Sequence, residues 1–262
     1  MLLSIEQLTI EFYDHLLPER VVEDVSFSLG EGEILGIVGE SGSGKSMTAL
    51  AVAGLLSRKD MKKTGKILFD GQDLLSMRRA DLRKLQGNEI SMIFQEPMTA
   101  LNPTMRIGKQ VEEALRIHFN MTKEEQKRTA IEWLDKVELE DAKRVYDSYP
   151  HELSGGMRQR VMIAAAMVSG PRLLIADEPT TALDVTVQAQ IIQLLKKINQ
   201  KDHTAIMFIS HDLSLVRQLC HRVIVMKDGR IVEEGECGFV FETPQEDYTK
   251  RLIAAIPKIP AD

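Results

Sequence analysis

Cysteine and aromatic residues are scarce in this sequence. Its 262 residues include two cysteines, Cys220 and Cys237, and aromatic side chains make up 5% of the chain. Two cysteines outside a CxxC pair are too few for a disulfide framework, a zinc ribbon or an iron–sulfur cluster. We therefore expect two buried or unreactive thiols and no metal cluster.

The sequence also lacks a long apolar run and an excess of basic residues. No apolar stretch approaches the about 18–20 residues that span a bilayer. The N-terminus alternates apolar and polar residues and has no basic start, so it is typical of a strand and not of a signal peptide. The net charge of −6 gives no indication of a nucleic-acid binder, which usually has a high pI. These absences predict a chain that stays in the cytoplasm.

Strand patterns alternate with helix patterns along the chain. Strands are predicted at 3–10, 21–29, 33–38, 66–69, 173–176, 205–209, 223–226 and 231–233, the last two joined by a hairpin at Asp228-Gly229. Helices are predicted at 45–56, 185–199 and within a helical middle of about 105–169, where Thr122 and Glu125 match a capping box. This alternation indicates an α/β core with a mostly parallel sheet and an inserted helical lobe.

The strongest local signal is GESGSGKS at residues 39–46, which matches GxxxxGK[ST] between a predicted strand and a predicted helix. Backbone N–H groups of such a loop can surround phosphate oxygens, and the helix N-terminus adds a partial positive charge. Lys45 is expected to reach the β- and γ-phosphates of a nucleotide, and Ser46 to bind Mg²⁺. The candidate nucleotide-binding residues here are Gly39, Ser41, Gly42, Ser43, Gly44, Lys45, Ser46 and Met47.

Two carboxylates follow the apolar strand predicted at 173–176. In open α/β sheets, ligands bind at the carboxyl ends of the strands, which is where Asp177 and Glu178 stand. Asp177 suits the coordination shell of Mg²⁺, and Glu178 suits a base that orients the attacking water.

A third segment, LSGGMRQR at residues 153–160, places two glycines at the start of an apolar helix. The residues alone leave two interpretations open. One is a second helix N-terminus that binds an anion. The other is an ordinary loop-to-helix cap with Ser154 as the N-cap.

Together, these segments resemble the ABC (ATP-binding cassette) ATPases. LSGGMRQR is similar to the signature of that family, which implies that Ser154, Gly155 and Gly156 bind the γ-phosphate of a nucleotide held by another subunit. The resemblance covers residues 1 to about 240. It implies ATP and Mg²⁺ as cofactors. It also implies a P-loop NTPase (RecA-like) core with a mostly parallel sheet, an N-terminal antiparallel β lobe and an inserted α-helical lobe at about 96–169, followed by a short tail at 241–262.

The remaining elements of the family follow in order along the chain. Gln95 resembles the Q-loop glutamine, which implies a catalytic and Mg²⁺-binding role, and His211 resembles the catalytic H-loop histidine. Asp184 ends the segment TALD, which resembles the D-loop and implies contact with the nucleotide. Taken singly, such residues are more often structural.

Two features of the nucleotide site depend on this resemblance. The family places an aromatic platform for adenine after the first strand, where Phe12 and Tyr13 both qualify, and motif position slightly favours Phe12. Many relatives have a threonine where this chain has Met47, so that only the backbone N–H of Met47 can serve.

FQEPMTALNP followed by YPHELSGGMRQR resembles the ATPases of dipeptide, oligopeptide and nickel importers. This implies a peripheral subunit at the cytoplasmic face of the cell membrane. Its expected partners are a second ATPase subunit, identical or different, two membrane permeases and an extracytoplasmic substrate-binding protein. Residues 244–252 resemble the family's P-x-H-P-Y-T run, with Glu246-Asp247 in place of His-Pro.

Several alternatives stay open. The chain could be an ABC ATPase of chromosome maintenance or the ribosome, although it shows no sustained heptads. A small-molecule kinase would leave the signature unexplained. Met92, Met98 and Met105 could line a groove for a permease helix or simply fill the core.

Overall fold

The computed structural model of the chain describes residues 1–13, 18–58, 60–95, 100–181 and 183–256. By their internal contacts, these residues divide into two units. The first comprises residues 1–77 and those from Met207 onwards, and the second comprises Arg78–Ile206.

The strands of the described residues are numbered in chain order: β1 Leu3–Phe12, β2 Glu19–Leu29, β3 Ile34–Val38, β4 Met61–Phe69, β5 Gln72–Asp73, β6 Ile90–Ile93, β7 Leu173–Asp177, β8 Ala205–Ile209, β9 Arg222–Lys227 and β10 Arg230–Glu236. The helices are numbered in the same way: α1 Lys45–Val52, α2 Arg79–Leu85, α3 Ile107–Val111, α4 Glu113–His118, α5 Lys123–Lys136, α6 Ala142–Asp147, α7 Gly155–Met167, α8 Val185–Asp202, α9 Leu213–Leu219, α10 Cys237–Glu242 and α11 Asp247–Ala254.

An antiparallel sheet of order β2-β1-β4-β5 forms one layer of the first unit. The alternation of β1 is interrupted at Gln7, which adopts a φ of 50°, and the register with β2 shifts between Ile5 and Leu8. Both of those apolar side chains stay buried. The bulge therefore absorbs the extra residue and keeps the apolar face of β1 in the core.

The second layer of the first unit has the strand order β10-β9-β3-β8, in which the last three residues of β8 belong to this unit. Strands β3 and β9 run parallel, and β9 and β10 form the predicted hairpin. Its turn residues Asp228 and Gly229 have φ angles of 48° and 77°, as a type I′ turn requires. Every residue of β3 is buried, so a short apolar strand without alternation is explained by burial on both faces.

The second unit contains the parallel pair β6 and β7 and most of the helices. The capping box predicted at the start of α5 is confirmed, since the Thr122 hydroxyl accepts from the Glu125 N–H and the Glu125 carboxylate accepts from the Thr122 N–H. The helical lobe at about 96–169 and the boundary at residue 240 stay predictions.

Two predicted boundaries differ most from the structure. The helix expected at 45–56 ends at Val52 because Gly54 takes a φ of 68° and the Leu55 N–H donates to the Leu50 carbonyl, which closes the helix as a Schellman motif. The strand expected at 66–69 begins at Met61 instead. Its first half pairs with the end of β1 and carries exposed polar side chains, so it has no apolar alternation to reveal it.

Candidate functional site

The loop at residues 39–46 follows a buried strand and opens a helix, as its motif requires. Gly39 has a φ of 151°, and a Cβ atom there would lie 2.1 Å from the Met226 carbonyl oxygen, so only glycine fits. Gly44, with a φ of 95°, is the N-cap of α1, which begins at Lys45. The local sequence therefore leads the chain from β3 into a helix N-terminus through a conformation that side chains would prevent.

The Lys45 ammonium lies against the backbone of this loop. Its Nζ atom donates to the carbonyl oxygens of Gly39 and Glu40, both at 2.8 Å, and to the Ser43 hydroxyl at 3.2 Å. Lys45 is 5% exposed. A buried cation needs such oxygen partners, and phosphate oxygens would be stronger acceptors than carbonyls.

The other predicted residues of the loop differ in exposure. Ser41 and Gly42 are exposed, and a Cβ atom at Gly42 would meet no atom within 4 Å, so space is open beside the loop there. Ser46 and Met47 lie half-buried in the first turn of α1. The chemistry of a phosphate group fits this open, N–H-rich turn at a helix N-terminus.

The two candidate adenine platforms are both held by polar neighbours in the first unit. The guanidinium carbon of Arg58 lies 4.9 Å from the centre of the Phe12 ring. The Tyr13 hydroxyl donates to the Glu11 carboxylate at 2.8 Å, and Tyr13 is 47% exposed. Both rings are accessible at the end of β1, and the choice between them stays a prediction.

His211 is exposed directly after β8, in the same unit. Its neighbours are fixed. Ser210 is 2% exposed and its hydroxyl accepts from the Asp212 N–H at 3.0 Å, while the Asp212 carboxylate caps α9 by accepting from Ser214. The histidine is thus presented to solvent from a rigid turn.

In the second unit, parallel pairing places the ends of β6 and β7 side by side, with Ile93 opposite Ala176. As a result, Gln95 and Glu178 meet across 83 positions of sequence, and the Gln95 Nε2 atom donates to Glu178 Oε2 at 3.0 Å. The Thr181 hydroxyl donates to the same oxygen at 2.9 Å. Sequence reasoning missed the role of Thr181, although a threonine three residues after the glutamate is the signal that could have indicated it.

Glu178 also adopts a left-handed backbone conformation, with a φ of 47°. Such a conformation is uncommon in a residue other than glycine. The preceding Asp177 is 6% exposed at the end of the fully buried β7. The strand therefore delivers one nearly buried and one more accessible carboxylate.

The signature segment forms the N-terminus of α7. The Ser154 hydroxyl accepts from the Met157 N–H at 3.3 Å, which confirms the N-cap interpretation without excluding anion binding. A Cβ atom at Gly156 would lie 2.9 Å from Val187 Cγ1, whereas one at Gly155 would meet only Leu183, at 3.8 Å. The signature thus packs against the start of α8.

The predicted D-loop ends at Asp184, directly before α8. The Asp184 carboxylate accepts from the Val187 N–H at 2.9 Å and so caps α8, which is a structural role compatible with the predicted contact to nucleotide. The Gln188 amide donates to the carbonyls of Thr180 and Leu183 and holds the loop. Met98, a candidate for either a permease groove or the core, and Ala182 of the predicted D-loop lie outside the described residues.

Arg160 connects the signature helix α7 to neighbouring elements through hydrogen bonds. Its guanidinium donates to the Val137 carbonyl at 2.6 Å, to Gln190 at 3.1 Å and to Glu138 at 3.3 Å, and its side chain is 10% exposed. Glu138 also accepts from Lys197 at 2.5 Å, and this hydrogen bond holds the pKa of Glu138 below its ordinary value. The network ties α7 to the end of α5 and to α8.

The donor set of the predicted Mg²⁺ ligands fits that ion. Ser46, Gln95 and Asp177 offer a hydroxyl, an amide and a carboxylate, all oxygen donors. Among the described residues there is no group of three or more His, Cys, Asp and Glu suited to hold a metal alone. Mg²⁺ does not need one, because substrate phosphates usually complete its coordination.

Comparison with known proteins identifies the family. The family model of the ABC transporter matches residues 22–181. The chain belongs to the ABC transporter family. It is 46% identical to the dipeptide transport ATP-binding protein DppD of Escherichia coli over 261 residues, covering 100% of this chain and 80% of DppD. It is 48% identical to the oligopeptide transport ATP-binding protein OppD of E. coli over 261 residues, covering 100% of this chain and 77% of OppD.

A solved structure supports the same assignment. The ATP-binding cassette MJ0796, solved as a dimer bound to ADP and phosphate, matches with a TM-score of 0.81 and 30% identity over 90% of this chain and 98% of MJ0796. The predicted family and fold class are confirmed, and with them the assignment as an ATP-hydrolysing enzyme of the ABC type. None of the helices formed by the described residues has the length and hydropathy needed to cross a bilayer.

Proposed function

We propose that this chain hydrolyses ATP to drive a membrane importer of peptides. The observation that carries this is the identity of 46–48% with DppD and OppD along the whole chain. Their names favour peptides over nickel or metal chelates as cargo, and favour transport over chromosome maintenance or ribosome-associated roles. The chain would work at the cytoplasmic face of the membrane.

The residues divide the work as follows. Lys45 and the N–H groups of the loop bind the β- and γ-phosphates, with Phe12 or Tyr13 under the adenine. Glu178 accepts a proton from the attacking water, and His211 contacts the γ-phosphate from its exposed turn. The Gln95 amide orients the Glu178 carboxylate through its nitrogen.

Ser46, Asp177 and the amide oxygen of Gln95 would hold Mg²⁺. When bound, that ion neutralises the charge of the phosphates.

The proposed partners are a second ATPase subunit, two permeases and an extracytoplasmic substrate-binding protein. We infer that the nucleotide is shared between the two ATPase subunits. The chain has one P-loop but a second helix N-terminus suited to anions, at Ser154 and Gly155, and a cassette of the same fold, MJ0796, has been solved as a dimer. ATP would then stabilise the dimer because it binds both subunits.

A complementation experiment tests the shared site. Lys45→Ala removes the phosphate contact of the P-loop, and Gly155→Asp places a carboxylate beside the phosphate at the signature. Gly155 is the right choice because a Cβ atom there is 3.8 Å from its nearest neighbour, so the substitution acts through charge. Gly155→Ala is the matched control for side-chain size and should stay active.

Each inactive variant should be rescued when mixed with the other, because some dimers then carry both defects in one site and keep the other site intact. If the native partner is a different ATPase, the two substitutions are divided between the partners. ATPase activity of the assembled transporter is the measurement. Absence of rescue in mixed dimers shown to form would contradict the shared site.

A further inference from the structure

The C-terminal helix α11 carries a side chain that reaches the P-loop. The Tyr248 hydroxyl accepts a hydrogen bond from the backbone N–H of Glu40 at 3.1 Å, across 208 positions of sequence. Tyr248 is 7% exposed, and both residues belong to the first unit. None of the roles assigned above to the P-loop uses this contact.

The bond completes a clamp on a single peptide group. The N–H of Glu40 and the C=O of Gly39 belong to the same planar peptide unit. The N–H donates to Tyr248, and the C=O accepts from the Lys45 ammonium at 2.8 Å. Holding both ends fixes the orientation of the peptide plane.

This peptide needs fixing because it follows a glycine. Gly39 has a φ of 151°, in a region that glycine alone visits readily, so its side-chain-free backbone gives the following peptide unusual rotational freedom. A rotation of this peptide would move the Gly39 carbonyl away from Lys45. The ammonium would then lose one of the partners that fix its position.

Tyr248 is itself well anchored. The Glu233 carboxylate accepts from the N–H groups of Gln245 and Glu246, at 2.8 and 3.1 Å, directly before α11. The Lys227 ammonium lies 5.3 Å from the centre of the Tyr248 ring. Farther along α11, Leu252 lines the same apolar cavity as Val38, the last residue before Gly39.

We propose that Tyr248 is a positioning residue for ATP binding, whose hydroxyl orients the Gly39–Glu40 peptide and thereby sets where Lys45 meets the phosphates. This rests on the phosphate-binding role proposed for the P-loop. Burial raises the pKa of the Tyr248 hydroxyl, so the phenol stays neutral and its oxygen accepts throughout the neutral range.

The test is Tyr248→Phe, which removes the hydroxyl and keeps the ring. Losing the hydrogen bond to this partly buried N–H should weaken ATP binding about tenfold. The contact is the same in the ground state and the transition state, so KM for ATP should rise while kcat changes little. Hydrogen exchange of the Glu40 amide should also become faster, which loss of packing elsewhere would not cause.

Tyr146→Phe is the matched control, since it removes the hydroxyl of another buried tyrosine, on α6 of the second unit, where that hydroxyl donates to Glu112. It should leave ATP affinity and Glu40 exchange unchanged. Lys45→Ala tests the P-loop separately, because it should abolish ATP binding whatever Tyr248 does. If Tyr248→Phe does not fold, Glu233→Gln, which weakens the anchor of α11, should change affinity and exchange in the same direction. Unchanged ATP affinity or unchanged Glu40 exchange in a folded variant would overturn the proposal.

Discussion

Replacement of Glu178 by glutamine tests the proposed catalytic base while keeping the hydrogen bonds of this side chain. Glu178 Oε2 accepts from Gln95 and Thr181, at 3.0 and 2.9 Å. The amide oxygen of a glutamine can occupy the same position and accept both bonds. Glutamine also keeps a side chain of the same length at a backbone φ of 47°, where a change to glycine would alter stability by itself.

The expected magnitudes differ enough to be distinguished. Each of the two hydrogen bonds becomes neutral instead of charge-assisted, which weakens it by about 1 kcal/mol, so the folded state loses about 2 kcal/mol at most. Removal of a positioned base lowers the rate by about 10²–10⁴, or about 3–5 kcal/mol in the barrier. The variant should therefore stay folded, bind ATP as the parent does and lose hydrolysis at least about a hundredfold.

The assay is single-turnover ATP hydrolysis by the assembled transporter, together with a separate ATP-binding titration. Glu132→Gln is the matched control, because Glu132 is exposed on α5 with Arg128 at 3.9 Å and makes the same change of charge. Turnover of the Glu178→Gln variant near the parental rate would show that Glu178 is not the base. Loss of ATP binding in parallel would assign the residue to binding instead.

Three further outcomes follow from single contacts. Gly156→Ala should destabilise the chain by about 1–3 kcal/mol in urea unfolding, because its Cβ atom would lie 2.9 Å from Val187 Cγ1, whereas Gly155→Ala should have little effect. Thr122→Ala should cost about 1 kcal/mol through loss of the capping box while ATPase activity is kept. The lowered pKa of Glu138 means that its carboxylate stabilises the fold above pH 4.5, its ordinary pKa, and that this contribution is lost as the pH falls through the lowered pKa. Glu138→Gln should therefore reduce the dependence of the free energy of unfolding on pH below about pH 4.5 and leave that dependence unchanged near neutrality.

The sequence was sufficient to predict an element wherever that element has its own apolar pattern or turn residues. The strand at 205–209 and the Asp228-Gly229 hairpin follow directly from apolar runs and turn chemistry. The end of α1 could also have been inferred, since Gly54 follows the last helical residues at the position that favours a left-handed cap. The first half of β4 could not, because its exposed residues are held by pairing with β1 and carry no periodic pattern.

Contacts between distant segments were beyond such rules. The motif order indicated that Gln95 and Glu178 matter, but only the pairing of β6 with β7 makes them hydrogen-bonded neighbours. The same holds for Tyr248 and Glu40, where the sequence gives no sign that a residue of the C-terminal segment touches the P-loop. Predicting either contact requires the strand order and the helix packing first.

The surroundings of Lys45 explain why phosphate is a favourable partner for its ammonium. A buried ammonium must have partners, and here the carbonyls of Gly39 and Glu40 provide them at 2.8 Å. These acceptors are neutral, whereas phosphate oxygens carry charge and form hydrogen bonds about twice as strong. Phosphate oxygens are therefore stronger partners than the carbonyls for Lys45, which is 5% exposed and has little hydration left to lose. Because the loop already holds the ammonium in place and out of water, binding energy can be used on phosphate instead of on reorganising the loop.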